Sequence, residues 1–143
     1  MNPTPRFLEF ATAFEKSFAD DDWSRVAAFL TEDAVYAVTG GAPLGGRWEG
    51  RDAVVGQFKQ ILDDFDRRFE VRKTEIVGAP TIEDGRFRFE WRGTYSTAGK
   101  PDLVIGGIET AIFEGDLISF LEDSMHEGCD AGIQAHMAEH VPD

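Results

Sequence analysis

The hydrophobic period of the chain changes once, near Phe69, and that change limits the fold more than any other feature of the sequence. Before it, apolar residues return every three or four positions. After it they return every second one. Phe7, Phe10, Ala11, Phe14 and Phe18 make an aromatic stripe that predicts a helix over residues 5–19, with Thr4 as N-cap and Pro5 at the first helical position. Asp20-Asp21-Asp22-Trp23 leads into a second, short helix carrying Val26, Phe29 and Leu30 and ending Thr31-Glu32-Asp33. Ala34-Val35-Tyr36-Ala37-Val38 reads as a strand, and a glycine-rich loop from Gly40 to Gly46 closes on Arg47-Trp48-Glu49-Gly50. A third helix, Arg51 to Phe69, buries Val54, Val55, Phe58, Ile61, Leu62, Phe65 and Phe69.

Beyond that point Phe87, Phe89 and Trp91 alternate with Arg86, Arg88, Glu90 and Arg92, the pattern of a strand with one wet face. Glu83-Asp84-Gly85 and Ala98-Gly99-Lys100-Pro101 read as turns. Leu103 to Phe113 is apolar on both faces, so both sides are expected to be covered. Glu114-Gly115-Asp116 turns into a final strand from Leu117 to about Met125, and Asp130 to His140 reads as a weak closing helix. Helices followed by a meander give an α+β class, one domain over residues 1–143, with a sheet curled around helices to enclose an apolar pocket.

Composition excludes several functions. The formal charge of −13 opposes nucleic acid and anionic membranes. No apolar run approaches the roughly 18 residues of a membrane span, and Met1-Asn2-Pro3-Thr4-Pro5-Arg6 does not read as a signal peptide. The lone Cys129 fits a reducing compartment, so a soluble cytoplasmic protein is expected. It has no basic neighbour in sequence to lower its pKa. The glycine loop lacks the lysine and the strand–loop–helix setting of a phosphate loop. His136-Met137-Ala138-Glu139-His140 matches a zinc-protease spacing, but an amphipathic terminal helix explains it better. Neither a metal nor a cofactor is expected.

Four pieces in order resemble the nuclear transport factor 2-like superfamily, and within it the SnoaL-like polyketide cyclase and ketosteroid isomerase branch. They are Asp22-Trp23, Thr31-Glu32-Asp33-Ala34-Val35, Gly50-Arg51-Asp52-Ala53-Val54, and the hairpin from Ile108 to Ser124. The resemblance implies a conical, curved, mostly antiparallel (mixed) sheet wrapped around N-terminal helices, a cystatin-like barrel with a deep pocket. It also implies a homodimer through the outer sheet face, which would account for the doubly apolar Leu103–Phe113 strand. The fold hosts isomerases, dehydratases, cyclases, epoxide hydrolases and non-enzymes, so it does not assign an activity.

Residue by residue, the isomerase pattern is broken: its oxyanion tyrosine falls on Phe14 and its catalytic aspartate on Val38, while its third acid matches Glu109. The same matching turns Phe120, Glu122, Ser124 and His126 inward. Glu109, Glu122 and His126 are then the candidate catalytic residues, two carboxyls with shifted titrations and a proton relay. If the register is reversed, Asp123 with Leu121 and Met125 faces inward instead. The expected lining comprises Phe14, Phe18, Tyr36, Val38, Trp48, Phe58, Phe89, Trp91, Phe120 and Ser124. The implied role is cofactor-free acid/base chemistry on a small hydrophobic ligand. The alternatives are a binding module without turnover and an assembly subunit.

Overall fold

The computed structural model describes residues 3–40 and 44–141. Helix α1 (Thr4–Asp20) follows its aromatic stripe, with Phe7 and Phe10 buried. Pro3, not Thr4, occupies the N-cap position, and Thr4 is already helical. The helix stops at Asp21, whose backbone turns left-handed (φ 61°) and whose N–H returns to the Ser17 carbonyl at 2.7 Å. The acidic corner is tied together locally. Arg25 donates to both Asp20 oxygens at 2.8 and 2.9 Å, and the Trp23 indole donates to Asp21 at 2.9 Å. Held by Arg25, Asp20 titrates at about 2.

Helix α2 (Ser24–Ala27) is shorter than the sequence implies, and Thr31-Glu32-Asp33 belong to strand β1 (Leu30–Thr39), not to its end. Strand β2 (Gly46–Glu49) takes up the segment expected to close the glycine loop, of which Gly41, Ala42 and Pro43 lie outside the described residues. Helix α3 (Arg51–Asp64) ends earlier than its hydrophobic pattern. Phe65 leaves the helical region, and a 3-10 turn (Asp66–Arg68) lets Phe65, Asp66 and Phe69 all point inward.

Four long strands follow: β3 (Val71–Glu83), β4 (Arg86–Ser96), β5 (Leu103–Glu114) and β6 (Leu117–Met125). Asp84 and Gly85, both at positive φ (51° and 75°), make the two-residue turn between β3 and β4. The sheet order is β2-β1-β6-β5-β4-β3, with β1 and β6 parallel and the other neighbours antiparallel. Bulges bend it. One interrupts β3 at Gly78-Ala79-Pro80, where Gly78 adopts φ 76° and proline is tolerated because β3 is an edge strand. Another sets Ser119 apart, since Ile112 pairs with Phe120 but Phe113 pairs with Ile118.

The curled sheet holds two apolar clusters. The larger joins α1, α2 and α3 to the sheet through Phe7, Phe10, Val26, Phe58, Leu62 and Phe87. In the smaller, helix α4 (Cys129–His140) inserts Ile133 among Phe65, Phe69, Tyr95, Leu103 and Ile105. Leu44, Trp91 and Met125 pack against both. On β5 the inward residues Leu103, Ile105 and Ala111 are buried. On the outer face Val104 is 55% exposed and Ile108 and Ile112 are half-buried, so a single chain leaves that face uncovered.

Candidate functional site

Between the helices and the sheet lies a cavity of about 760 Å³, walled by Phe7, Phe10 and Phe14 of α1, Phe58 and Leu62 of α3, and Phe89 and Trp91 of β4. One register line of the sheet crosses its floor. Val38 pairs with Asp123, Asp123 with Glu109, and Glu109 with Phe89. Aligned Cβ atoms in such a line share a face, so two carboxyls meet beneath aromatic rings. Both are half-accessible, because the surface they expose is the inside of the cavity.

Burial pushes the Glu109 carboxyl well above the usual range, and the neighbouring Asp123 charge and hydrogen bond push it further. Asp123 is also raised by burial, but the hydrogen bond with Glu109 and the bond from Tyr36 oppose the rise. The Tyr36 hydroxyl donates to Asp123 Oδ2 at 2.9 Å. The Trp91 indole N–H is buried without a hydrogen-bond partner and stands close enough to favour the Asp123 anion. Both carboxyls are raised, Glu109 further than Asp123, so Glu109 is the member of the pair that keeps its proton to higher pH. Tyr36 is itself held neutral, chiefly by burial and by the Asp123 charge. Its ring stacks on Trp48 (centroids 5.7 Å apart) and meets Phe58 edge-on, so packing fixes the direction of the hydroxyl.

A second polar group borders the same cavity. Asp66 is 6% exposed and receives the Arg72 Nε–H at 2.5 Å, while Arg72 Nη1 reaches both Glu15 oxygens at 2.8 and 2.9 Å. Burial still raises the Asp66 pKa in spite of the guanidinium, because desolvation outweighs it. Tyr95 closes the group and is driven up by burial and by Asp66. Glu15, Asp66, Arg72 and Tyr95 all line the cavity.

The structure sorts the expected site residues. Glu109, Phe14, Tyr36, Val38, Phe58, Phe89 and Trp91 line the cavity together. Phe120, Glu122, Ser124 and His126 do not. Leu121, Asp123 and Met125 take their place, and the reason is the bulge at Ser119. Ile118 is fully buried, and counting by twos from it carries Phe120 and Glu122 inward; the extra residue re-phases the strand and turns them out. His126 is exposed, 3.3 Å from Glu90, and Ser124 accepts from Thr39 on the outer face. Phe18 lies outside the cavity beneath the guanidinium groups of Arg67 and Arg72, and Trp48 forms a layer behind Tyr36. The Asp66–Arg72–Glu15 cluster had no sequence signal, since its members lie on three separate elements. Among the described residues no three His, Cys, Asp or Glu side chains converge as metal ligands. His136 and His140 do sit ring to ring on α4, 4.9 Å apart.

Comparisons with known proteins agree with this architecture. The structure resembles Bal32a from a soil-derived mobile gene cassette (TM-score 0.68, 18% identity, 92% of this chain and 99% of that one). It also resembles a putative isomerase from Rhodopseudomonas palustris (0.69, 14%, 91% and 96%). An LEH-like epoxide hydrolase from M. tuberculosis superposes at 0.63 with 13% identity over 94% and 93%. At these identities the likeness shows the fold alone. Among curated proteins none matches the sequence. The family model for the SnoaL-like domain matches residues 10–121, from the aromatic stripe of α1 to Leu121 of β6. With most of the chain inside that match, the protein belongs to the SnoaL-like domain family.

Proposed function

We propose that this chain carries out cofactor-free acid/base chemistry on a small hydrophobic substrate bearing an oxygen function, with Glu109 as acid and Asp123 as base. One observation carries the reading: two carboxyls paired across adjacent strands at the floor of an aromatic cavity, with protonation states driven apart by their surroundings. Glu109, whose carboxyl burial and the neighbouring Asp123 push well above the usual range, would protonate a carbonyl or epoxide oxygen. Asp123 would accept a proton from the substrate carbon or from water, and proton exchange between the pair would restore both. Tyr36 would hold the Asp123 carboxylate in place. The cyclase, isomerase and hydrolase forms of this chemistry share the step, and relatives of the same fold include a putative isomerase and an epoxide hydrolase.

The test is an NMR titration of both carboxyls, with Glu109→Gln and Asp123→Asn for assignment, beside a screen of carbonyl and epoxide substrates. One carboxyl titrating well above the free value of about 4.3, with turnover lost in both variants, supports the reading. Two ordinary titrations end it. A second reading, a binding module without turnover, draws on Phe14 and Val38 standing where the isomerase branch carries its tyrosine and aspartate. Ligand binding without turnover across the screen would favour it. We further infer a homodimer through the outer face of β5, supported by its uncovered Val104, Ile108 and Ile112. No helix among the described residues is long and apolar enough to cross a membrane, in keeping with a cytoplasmic location.

A further inference from the structure

Resting on the reading of the cavity as a small-molecule site, we infer that it admits neutral and cationic hydrophobic molecules and turns away carboxylates. The charges along its lining are unequal in kind as well as in number. Glu15, Asp66, Glu75, Glu109 and Asp123 border it, against Lys16 and Arg72. Arg72 has no charge to offer an anion, because Asp66 and Glu15 engage it on two sides at 2.5 and 2.8 Å. Lys16 is exposed on α1. Glu75 is matched from outside the cavity by Arg92 at 2.9 Å.

The floor is different. The groups around Glu109 and Asp123 are each other, the Tyr36 hydroxyl that donates to Asp123 and the unbonded Trp91 indole N–H nearby, none of them cationic. A ligand carboxylate placed there would add a third carboxyl to a pair already crowded by charge, in surroundings where water cannot screen the repulsion. A hydroxyl can donate to Asp123 or accept from Glu109. An ammonium gains the Asp123 charge and the faces of Phe14, Phe58 and Phe89. The chain's charge of −13 adds a field of the same sign over longer range.

The test uses one ring system with three head groups: 1-naphthylmethanol, 1-naphthylmethylamine and 1-naphthoate, titrated calorimetrically into the protein at neutral pH. Their location is read from the shifts of the Glu109 and Asp123 carboxyl signals. The expected result is naphthoate at least about five-fold weaker than the alcohol, with the amine equal to it or tighter. In Glu15→Gln, which releases one side of Arg72, the affinity of naphthoate relative to the alcohol should rise. Naphthoate within five-fold of the alcohol, or an equal penalty in Glu15→Gln, overturns the charge selection while leaving the cavity reading intact. Failure of the alcohol to bind, or to move either carboxyl signal, removes both.

Discussion

Glu109 on β5 and Asp123 on β6 face each other directly across the antiparallel ladder, and their carboxyls share one hydrogen bond in a cavity walled by Phe14, Phe58 and Phe89. The pair costs the fold stability at neutral pH, and the sign can be worked out. Folded Glu109 holds its proton well above the ordinary glutamate value of 4.5, whereas the unfolded chain releases it there. The native state therefore binds more protons over that window, and stability falls as pH rises through it. Glu109→Gln keeps a donor toward Asp123 and removes the titration. Denaturant unfolding should show the variant gaining about 1 kcal/mol or more on the native chain as pH rises above the ordinary glutamate range.

Tyr36→Phe deletes the hydroxyl that donates to Asp123 at 2.9 Å and leaves the ring stacked on Trp48. Asp123 should titrate higher than in the native chain, and stability should drop by about 1–2 kcal/mol at neutral pH. An unmoved Asp123 signal would mean that the hydroxyl has another partner in solution.

Arg72→Met should be the most damaging of these changes. It leaves Asp66, with a side chain only 7% exposed, without its counter-charge and takes from Glu15 its cationic partner on β3, leaving it the Thr74 hydroxyl. A loss of about 3 kcal/mol or more is expected at pH 7. Below the ordinary carboxylate range Asp66 is protonated in either state, so the deficit should shrink in acid. Chemical denaturation at about pH 3 and pH 7 measures the difference.

Gly85→Ala tests the corner that joins the edge strand to the sheet. Gly85 sits at φ 75° beside Asp84 at 51°, and a Cβ there meets no neighbouring atom, so any effect is backbone strain alone. A cost of about 1 kcal/mol is expected in urea, with the cavity carboxyls titrating as in the native chain.

The elements with strong periodicity were readable in the sequence. The stripe of α1, the alternation of β4 and the turn at Asp84-Gly85 each follow from local patterns that tertiary packing reinforces. Glu109 was placed inward by the family resemblance and not by periodicity, since Leu103 to Phe113 is apolar on both faces; the unbroken pairing of β5 with β4 from Leu103 to Ile112 carries it to the cavity side. Thr31-Glu32-Asp33 misled: a polar triplet after a short helix looks like its end, yet here it fills the stretch of β1 where the pairing with β6 slips, between Leu30 and Val35. Asp66 was hidden inside an apparent helix, since nothing local announces that α3 must break for it to reach Arg72. The inward face of β6 was open between two registers, and periodicity could not choose. The choice rests on a backbone irregularity that the side chains of the strand do not encode.

That irregularity makes the chemistry of the cavity unusually easy to rewrite. Glu122 and Asp123 are adjacent carboxylates, one in solvent and one beside Glu109, and the spare residue at Ser119 decides which is which. Were the bulge ironed out, with Ser119 taking the place opposite Ile112, Glu122 would stand opposite Glu109 in place of Asp123 and Phe120 would replace Leu121 in the wall, with no residue of the cavity substituted. One local choice of backbone pairing at this hairpin therefore selects between two cavity floors written in the same sequence.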